Sequence, residues 1–241
     1  MTERKKGGGK SGAHMLHERV RTARKRSVSS TRWLQRQLND PYVIESRRLG
    51  YRSRAAFKLV QLDDRFHFLR PGTRVVDLGA APGGWTQVAV ERVKSLEPRG
   101  GKVVGIDILE WAPVAGATVM THDFLDDAAP ALLKQALDGP ADVVLSDMAA
   151  PTTGHPATDH LRIIHMCEVA LEFALEVLAP GGTFVAKVFK GGTERDLLEL
   201  LKRSFESVRH AKPPASRAES AETYVVAMGF RGSGASAARQ D

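Results

Sequence analysis

Residues 74–84 constrain this chain more than any other stretch. Val75-Val76-Asp77-Leu78 is a short apolar run that passes through Gly79-Ala80-Ala81-Pro82-Gly83-Gly84 directly into a helical pattern spanning 84–96. A buried strand that turns on glycines into a helix needs a sheet with helices packed against it. The same alternation then repeats. Strands are expected at 74–78, 102–106, 118–121, 142–146 and 183–189, and helices at 84–96, 128–137, 159–178 and 194–203. Two further strands, 205–210 and 223–229, close the chain. Strands that are apolar throughout belong in a mostly parallel sheet buried on both faces. Two consecutive strands after the last helix fit an antiparallel hairpin at one edge. The expected fold is therefore α/β, with a mostly parallel seven-stranded sheet, an antiparallel edge hairpin and helices on both faces. On the long helix, Leu161, Ile164, Ala170, Leu171, Ala174 and Leu178 are expected to face inward, and Ala179-Pro180-Gly181-Gly182 to stop it. In such folds ligands sit at the carboxyl ends of the strands, near the switch in strand order.

The segments outside the sheet differ in charge. Residues 1–54 hold 15 Lys and Arg against 4 Asp and Glu, whereas 55–241 hold 20 against 24. A basic arm on a mildly acidic body points to a polyanion, nucleic acid ahead of a membrane surface; a solvated arm that only aids solubility is the other reading. Residues 1–30 are too polar to offset the entropy of ordering and are expected to be disordered. Residues 31–230 are expected to form one domain, with 31–70 a helical segment ahead of the sheet, and 231–241 a flexible tail. Trp33, Leu34 and Leu38 have helical spacing up to Asn39-Asp40-Pro41, and 53–66 reads as a helix capped by Ser53. Arg47, Arg48, Arg52, Arg54 and Lys58 cluster in sequence. Trp33 and Tyr51 could stack on unpaired bases or simply pack the helices.

Several classes drop out. A single cysteine, Cys167, allows no intramolecular disulfide and no cysteine-based zinc knuckle. It fits a reducing, cytoplasmic compartment. No stretch approaches the ~20 apolar residues of a membrane helix, so no membrane partner is expected. The start lacks a secretory apolar region, although its Arg-rich, acid-poor character also suits a mitochondrial presequence. No His/Cys/Asp cluster has metal-ligand spacing, so no metal is expected. A monomer is expected.

The glycine loop itself lacks the G-x-G-x-x-G spacing, because Ala81 replaces the second glycine, and it has no Walker lysine. Asp107 ends the second strand 23 residues after Gly84, close to the spacing of an acid that binds a ribose. A nucleoside-containing ligand follows. Asp77 could fix the loop or meet an amino group of that ligand.

Asp77-Leu78-Gly79-Ala80-Ala81-Pro82-Gly83-Gly84-Trp85 resembles the S-adenosylmethionine loop of the FtsJ-type ribose 2′-O-methyltransferases. The resemblance runs from about Trp33 to Phe230. It includes Ser53-Arg54-Ala55-Ala56-Phe57-Lys58-Leu59, Ser146-Asp147-Met148-Ala149, Lys187-Val188-Phe189 and Glu222-Thr223-Tyr224. It implies a Rossmann-like methyltransferase fold and S-adenosylmethionine as cofactor. Asp77, Gly79, Pro82, Gly83, Gly84, Trp85, Asp107, Asp123 and Asp147 are the implied cofactor residues. Lys58, Asp147, Lys187 and Glu222 are the implied catalytic tetrad, with Glu219 in Ser216-Arg217-Ala218-Glu219 a competing candidate for the last place. Members of this size and motif spelling act on a uridine ribose of 23S rRNA in the 50S ribosomal subunit, and relatives act on tRNA.

The tetrad suits the reaction. A ribose 2′ oxygen attacks a methyl already activated by positive sulfur, so the site must align the atoms and manage one proton. An amine held neutral is a suitable base for a hydroxyl, and a second cation nearby favours the neutral form. Lys187 is expected to be the base or the group that stabilises the developing alkoxide, and Lys58 to position the hydroxyl or a phosphate. Two rivals remain open at this level. A nicotinamide-dependent oxidoreductase would use the same fold and Asp107. A non-catalytic RNA-binding protein would keep the fold alone.

Overall fold

A computed structural model of the chain describes residues 27–149, 153–189 and 195–232. Most of the expected basic arm and tail thus lies outside the described residues. The chain divides into two compact units, Met1–Ile44 and Glu45–Asp241. The boundary falls inside the segment expected to precede the sheet.

In the first unit, α1 (Val28–Leu38) starts within the stretch expected to lack structure. The Ser30 amide donates to the Ser27 side chain at 3.2 Å, an N-cap that offsets the orphan amides of the first turn. Asn39 ends the helix by donating from its side chain to the Gln35 carbonyl. Asp40 then accepts from the Tyr42 amide and starts α2 (Pro41–Leu49), within which the boundary falls and whose proline stands where a helix needs no amide hydrogen.

In the second unit, α3 (Ala56–Phe66) is followed by β1 (Arg74–Leu78), α4 (Gly84–Val93), β2 (Lys102–Asp107), β3 (Ala117–Thr121), α5 (Ala129–Leu137) and β4 (Ala141–Ser146). Then come α6 (Pro156–Val177), β5 (Leu178–Phe189), α7 (Arg195–Ser204), β6 (Phe205–Ala211) and β7 (Glu222–Phe230). The sheet order is β3-β2-β1-β4-β5-β7-β6. β7 runs antiparallel to both β5 and β6, and the other neighbouring pairs are parallel. The fold class is as expected from the sequence, with the order reversing between β1 and β4.

Alternating side chains of each strand feed two buried layers. Val76, Leu78, Val104 and Ile106 pack with Leu133, Leu171 and Ala174 on the α5–α6 side. Val75, Val103, Leu145, Val185 and Val226 pack with Leu59, Trp85 and Val88 on the α3–α4 side. Sheet pleating thus puts Asp77, two residues after Val75, on the α3–α4 side, and Lys187 with Val185 on the same side.

Three local expectations are corrected. α3 begins at Ala56, with Ala55 at its N-cap and no side-chain cap. Ser53 lies instead against Gly84, and the Arg52 amide beside it donates to Gln87 of α4. Leu161 is 60% exposed, whereas Ile164, Ala170, Leu171 and Ala174 are buried. The α6 stripe starts two residues later than the periodicity suggested. Finally, Leu178-Ala179-Pro180-Gly181-Gly182 opens β5 and does more than stop the helix.

Candidate active site

The switch between β1 and β4 places the glycine loop and Asp147 side by side. The Asp147 amide donates to the Leu78 carbonyl at 3.2 Å. Gly79 has a φ of 76°, and a Cβ there would lie 2.8–3.0 Å from the side chain and backbone of Met148. Backbone cannot move aside cheaply, so this close approach of the two strand ends requires glycine.

Around that junction lies a cavity of about 470 Å³. Gly79, Asp107, Asp123 and Asp147 line it together with Ile108, Leu109, Phe124, Leu125 and Met148. Asp107 is held in one orientation because its two carboxylate oxygens accept from the Ala81 and Leu109 amides, at 2.9 and 2.8 Å. Each oxygen keeps lone pairs for a further donor. Asp123 is held similarly by the Leu125 amide at 3.0 Å. Three carboxylates on apolar walls favour a ligand that combines flat apolar surface, hydroxyl donors and positive charge.

The other residues expected to hold the cofactor do not line this cavity. Gly83 has a φ of 109° at the N-cap of α4, and Gly84 opens that helix after Pro82. Trp85 turns into the core, donating its indole N–H to the Ala55 carbonyl at 2.8 Å and packing 5.6 Å from the Tyr224 ring. Asp77 is fully buried behind the loop. Its Oδ2 accepts from the Thr86 hydroxyl at 2.7 Å, whereas Oδ1 has no partner among the described residues.

Beside the cavity Lys187, Lys58 and Glu222 join Asp147 to form two ionic pairs. Lys187 Nζ lies 3.1 Å from Asp147 Oδ1 and donates to the Asp147 carbonyl at 2.6 Å. Lys58 Nζ donates to Glu222 Oε2 at 2.7 Å. Strand register explains the convergence. Ser146 pairs with Ala186, which sets Asp147 next to Lys187. Phe189 pairs with Glu222 and Lys187 with Tyr224, so the start of the antiparallel β7 meets the end of β5 at the same rim. Lys58 reaches the pair from α3, where it is 8% exposed. Glu219 is exposed, and it is Glu222 that faces Lys58.

Tyr224 had no role in the sequence reading. It is fully buried, donates its hydroxyl to Asp147 Oδ1 at 2.9 Å, and places its ring 5.7 Å from Lys58 Nζ. Burial and the carboxylates of Asp147 and Glu222 push its phenol well above the ordinary value, which keeps it a hydrogen-bond donor. The signal was available, because Tyr224 follows Glu222 by two residues on one strand.

Asp77 and Asp147, at the ends of adjacent strands, have opposite protonation behaviour. Burial pushes the Asp77 carboxyl up to about 7; the Thr86 hydroxyl opposes this, and Asp147 and Asp107 add to it. Burial also acts to raise Asp147, but Lys187, Lys58 and the hydrogen bonds from Lys187 and Tyr224 outweigh it and hold the carboxyl below its ordinary value. Asp77 yields a pH prediction. An unfolded chain ionises this carboxyl near 3.8, and the fold does so near about 7. Between these values the fold keeps a proton that the unfolded chain has lost, so this stabilisation is full below 3.8 and disappears as pH rises through about 7. From about pH 6 to about pH 8 the loss is about 1.4 kcal/mol, or about 3–6 °C in Tm. Melting curves should show that decline in the wild type and its absence in Asp77→Asn.

The basic cluster is partly committed to structure. Arg48 pairs with Glu45 at 2.6 Å. Arg52 donates to the Pro82 carbonyl at 3.2 Å and to the Ala112 and Pro113 carbonyls, tying the glycine loop to the loop after β2. Arg54 donates to the Ala215 carbonyl. Tyr51 lies edge-on to Phe57 and donates to Glu91, in line with the packing alternative. The Trp33 side chain lies outside the described residues. Among the described residues no helix is long and apolar enough to cross a membrane, and no three metal-binding side chains cluster.

Comparison with known proteins adds to this geometry. The model of the family described as FtsJ-like methyltransferase matches residues 51–230. Ribosomal RNA large subunit methyltransferase E of Paramagnetospirillum magneticum is 73% identical over 223 residues, which are 92% of this chain and 91% of that protein. The protein of the same name from Rhodospirillum rubrum is 67% identical over 231 residues, 96% of this chain and 88% of that one. Among solved structures, a chain assigned as a ribosomal RNA methyltransferase from Plasmodium falciparum superimposes with a TM-score of 0.67 at 31% identity, covering 76% of this chain and 100% of that one.

Proposed function

Because the chain belongs to the FtsJ-like methyltransferase family, we propose that it transfers a methyl group from S-adenosylmethionine to a ribose 2′-hydroxyl of 23S rRNA within the large ribosomal subunit, in the cytoplasm. The observation that carries this reading is the Lys187–Asp147 contact, whose carboxylate also lines the acid-lined cavity, with the Lys58–Glu222 pair at the same rim. The rRNA target rests on relatives at 73% and 67% identity named as large-subunit rRNA methyltransferases.

The cavity suits the cofactor. Asp107 would offer lone pairs to ribose hydroxyls, Asp123 an acceptor to the base, Ile108 and Leu125 apolar surface, and Asp147 negative charge to a cationic group. When bound, S-adenosylmethionine supplies a methyl group on positively charged sulfur.

The remaining work falls to side chains. Lys187, paired with Asp147, stabilises the 2′ oxygen as charge develops, and takes up the hydroxyl proton only from its neutral form. Asp147 aims the Lys187 ammonium, and Tyr224 fixes Asp147 in turn. Lys58, held by Glu222, positions the hydroxyl or the adjoining phosphate. No nicotinamide chemistry gives Lys58, Lys187 and Glu222 comparable roles.

The test is to incubate the protein with methyl-labelled S-adenosylmethionine and, separately, with large subunits, free 23S rRNA or tRNA. Label on the large subunit, mapped to one nucleotide of its 23S rRNA, is expected. Label on tRNA alone, or on no RNA, would overturn the reading.

A further inference from the structure

The segment between β6 and β7 carries a contact that the tetrad leaves unexplained. The Ser216 hydroxyl donates to Glu222 Oε1 at 2.7 Å, while Lys58 occupies Oε2 of the same carboxylate at 2.7 Å. Ser216 is 6% exposed. The Glu222 amide also donates to the Ser220 hydroxyl at 3.2 Å. The glutamate is thus fixed at its backbone and at both carboxylate oxygens.

What delivers Ser216 is a strap clamped to the tetrad's own helix. The Ala215 amide donates to Gln61 Oε1 at 2.7 Å, and the Ala215 carbonyl accepts from Arg54 at 2.6 Å. Gln61 lies on α3 three residues after Lys58, and Arg54 lies just before that helix. The Ser216 amide donates to the Pro213 carbonyl, which makes a turn, and Lys212 donates to the Ser220 and Ala218 carbonyls, which closes the loop on itself. One element, α3, therefore sets both the lysine and the hydroxyl that bind the two oxygens of Glu222.

We infer that Ser216 is a positioning residue for methyl transfer: it holds Glu222 in the orientation that aims Lys58, and the 212–221 strap exists to place it. The inference rests on the function proposed above. A hydroxyl donating to a carboxylate belongs to the stronger class of hydrogen bonds, and an untethered Glu222 can rotate and let the Lys58 ammonium drift from its line.

A double-mutant cycle tests this. Single-turnover methylation of large subunits by excess protein, S-adenosylmethionine affinity and melting temperature are measured for the wild type, Ser216→Ala, Glu222→Ala and the double variant. Each is assayed below its melting temperature. Ser216→Ala is expected to slow the single-turnover rate about tenfold, with cofactor affinity within about twofold of wild type. Adding Ser216→Ala to Glu222→Ala is expected to change the rate no further, because the hydroxyl acts through the carboxylate. Ser216→Thr, which keeps the hydroxyl, should restore most of the rate. A Ser216→Ala rate equal to wild type, or an undiminished effect in the Glu222→Ala background, overturns the inference. A wild type that methylates no ribose overturns the proposed function instead, so the two failures are distinguishable.

Discussion

Lys187→Ala is expected to lower methyl transfer to the large subunit by about 10²–10⁴-fold while leaving S-adenosylmethionine affinity near wild type. The magnitude is that of removing the group proposed to manage the proton or the developing charge of the reacting oxygen. The selectivity follows from position. Lys187 meets Asp147 at 3.1 Å from the β5 side, whereas the cavity residues come from the ends of β1, β2 and β4, the segment after β3 and α6. Single-turnover kinetics and calorimetric titration of the cofactor separate the two effects. A variant that transfers methyl at the wild-type rate removes Lys187 from the chemistry. A variant that loses cofactor affinity and rate together makes Lys187 part of the binding site instead.

Asp147→Ala should have the largest effect on stability. Asp147 and Lys187 have side chains 17% and 9% exposed, and Tyr224 donates to the same carboxylate. Truncating the acid leaves a buried ammonium uncompensated, which costs about 3 kcal/mol, or about 6–12 °C in Tm. The lowered Asp147 value fixes the sign of the pH dependence. Its stabilisation is present above the unfolded value of 3.8 and is lost as pH falls through the lower folded value. Asp147→Ala should therefore differ most from the wild type at neutral pH and converge with it in acid. Asp147→Asn, which keeps the shape and an acceptor for Tyr224, should lose less stability but as much activity. A melting temperature for Asp147→Ala equal to wild type would show that the contact contributes nothing to the fold.

These two residues also show what a sequence can and cannot disclose. Hydropathy marks the central strands, because β1, β2 and β4 are buried on both sides, and the sequence places β1 at Arg74–Leu78 to the residue. The carboxyl-end rule then places Asp107 and Asp147 at the rim, where they line the cavity. Which lysine meets which carboxylate was not legible, because it depends on the parallel register of β4 and β5 and on the antiparallel register of β5 and β7. Alternation fixes which face each side chain takes, but which residues of two strands far apart in sequence stand opposite depends on both strands together. Side-chain direction was equally hidden. Trp85 sits in the glycine loop's motif, yet its ring fills the core beside Tyr224, because the start of α4 faces α3. Glu219 and Glu222 differ by three residues, and the β5–β7 register together with the strap between β6 and β7 decides which one meets Lys58.

The central claim is that this rim directs methyl to the ribose oxygen and not to a base. After reaction with labelled S-adenosylmethionine, the large-subunit RNA is digested to nucleosides and the labelled product is identified by mass spectrometry. Label in a 2′-O-methylated nucleoside, absent with Lys187→Ala, is the predicted result. Label in a base-methylated nucleoside would contradict the account.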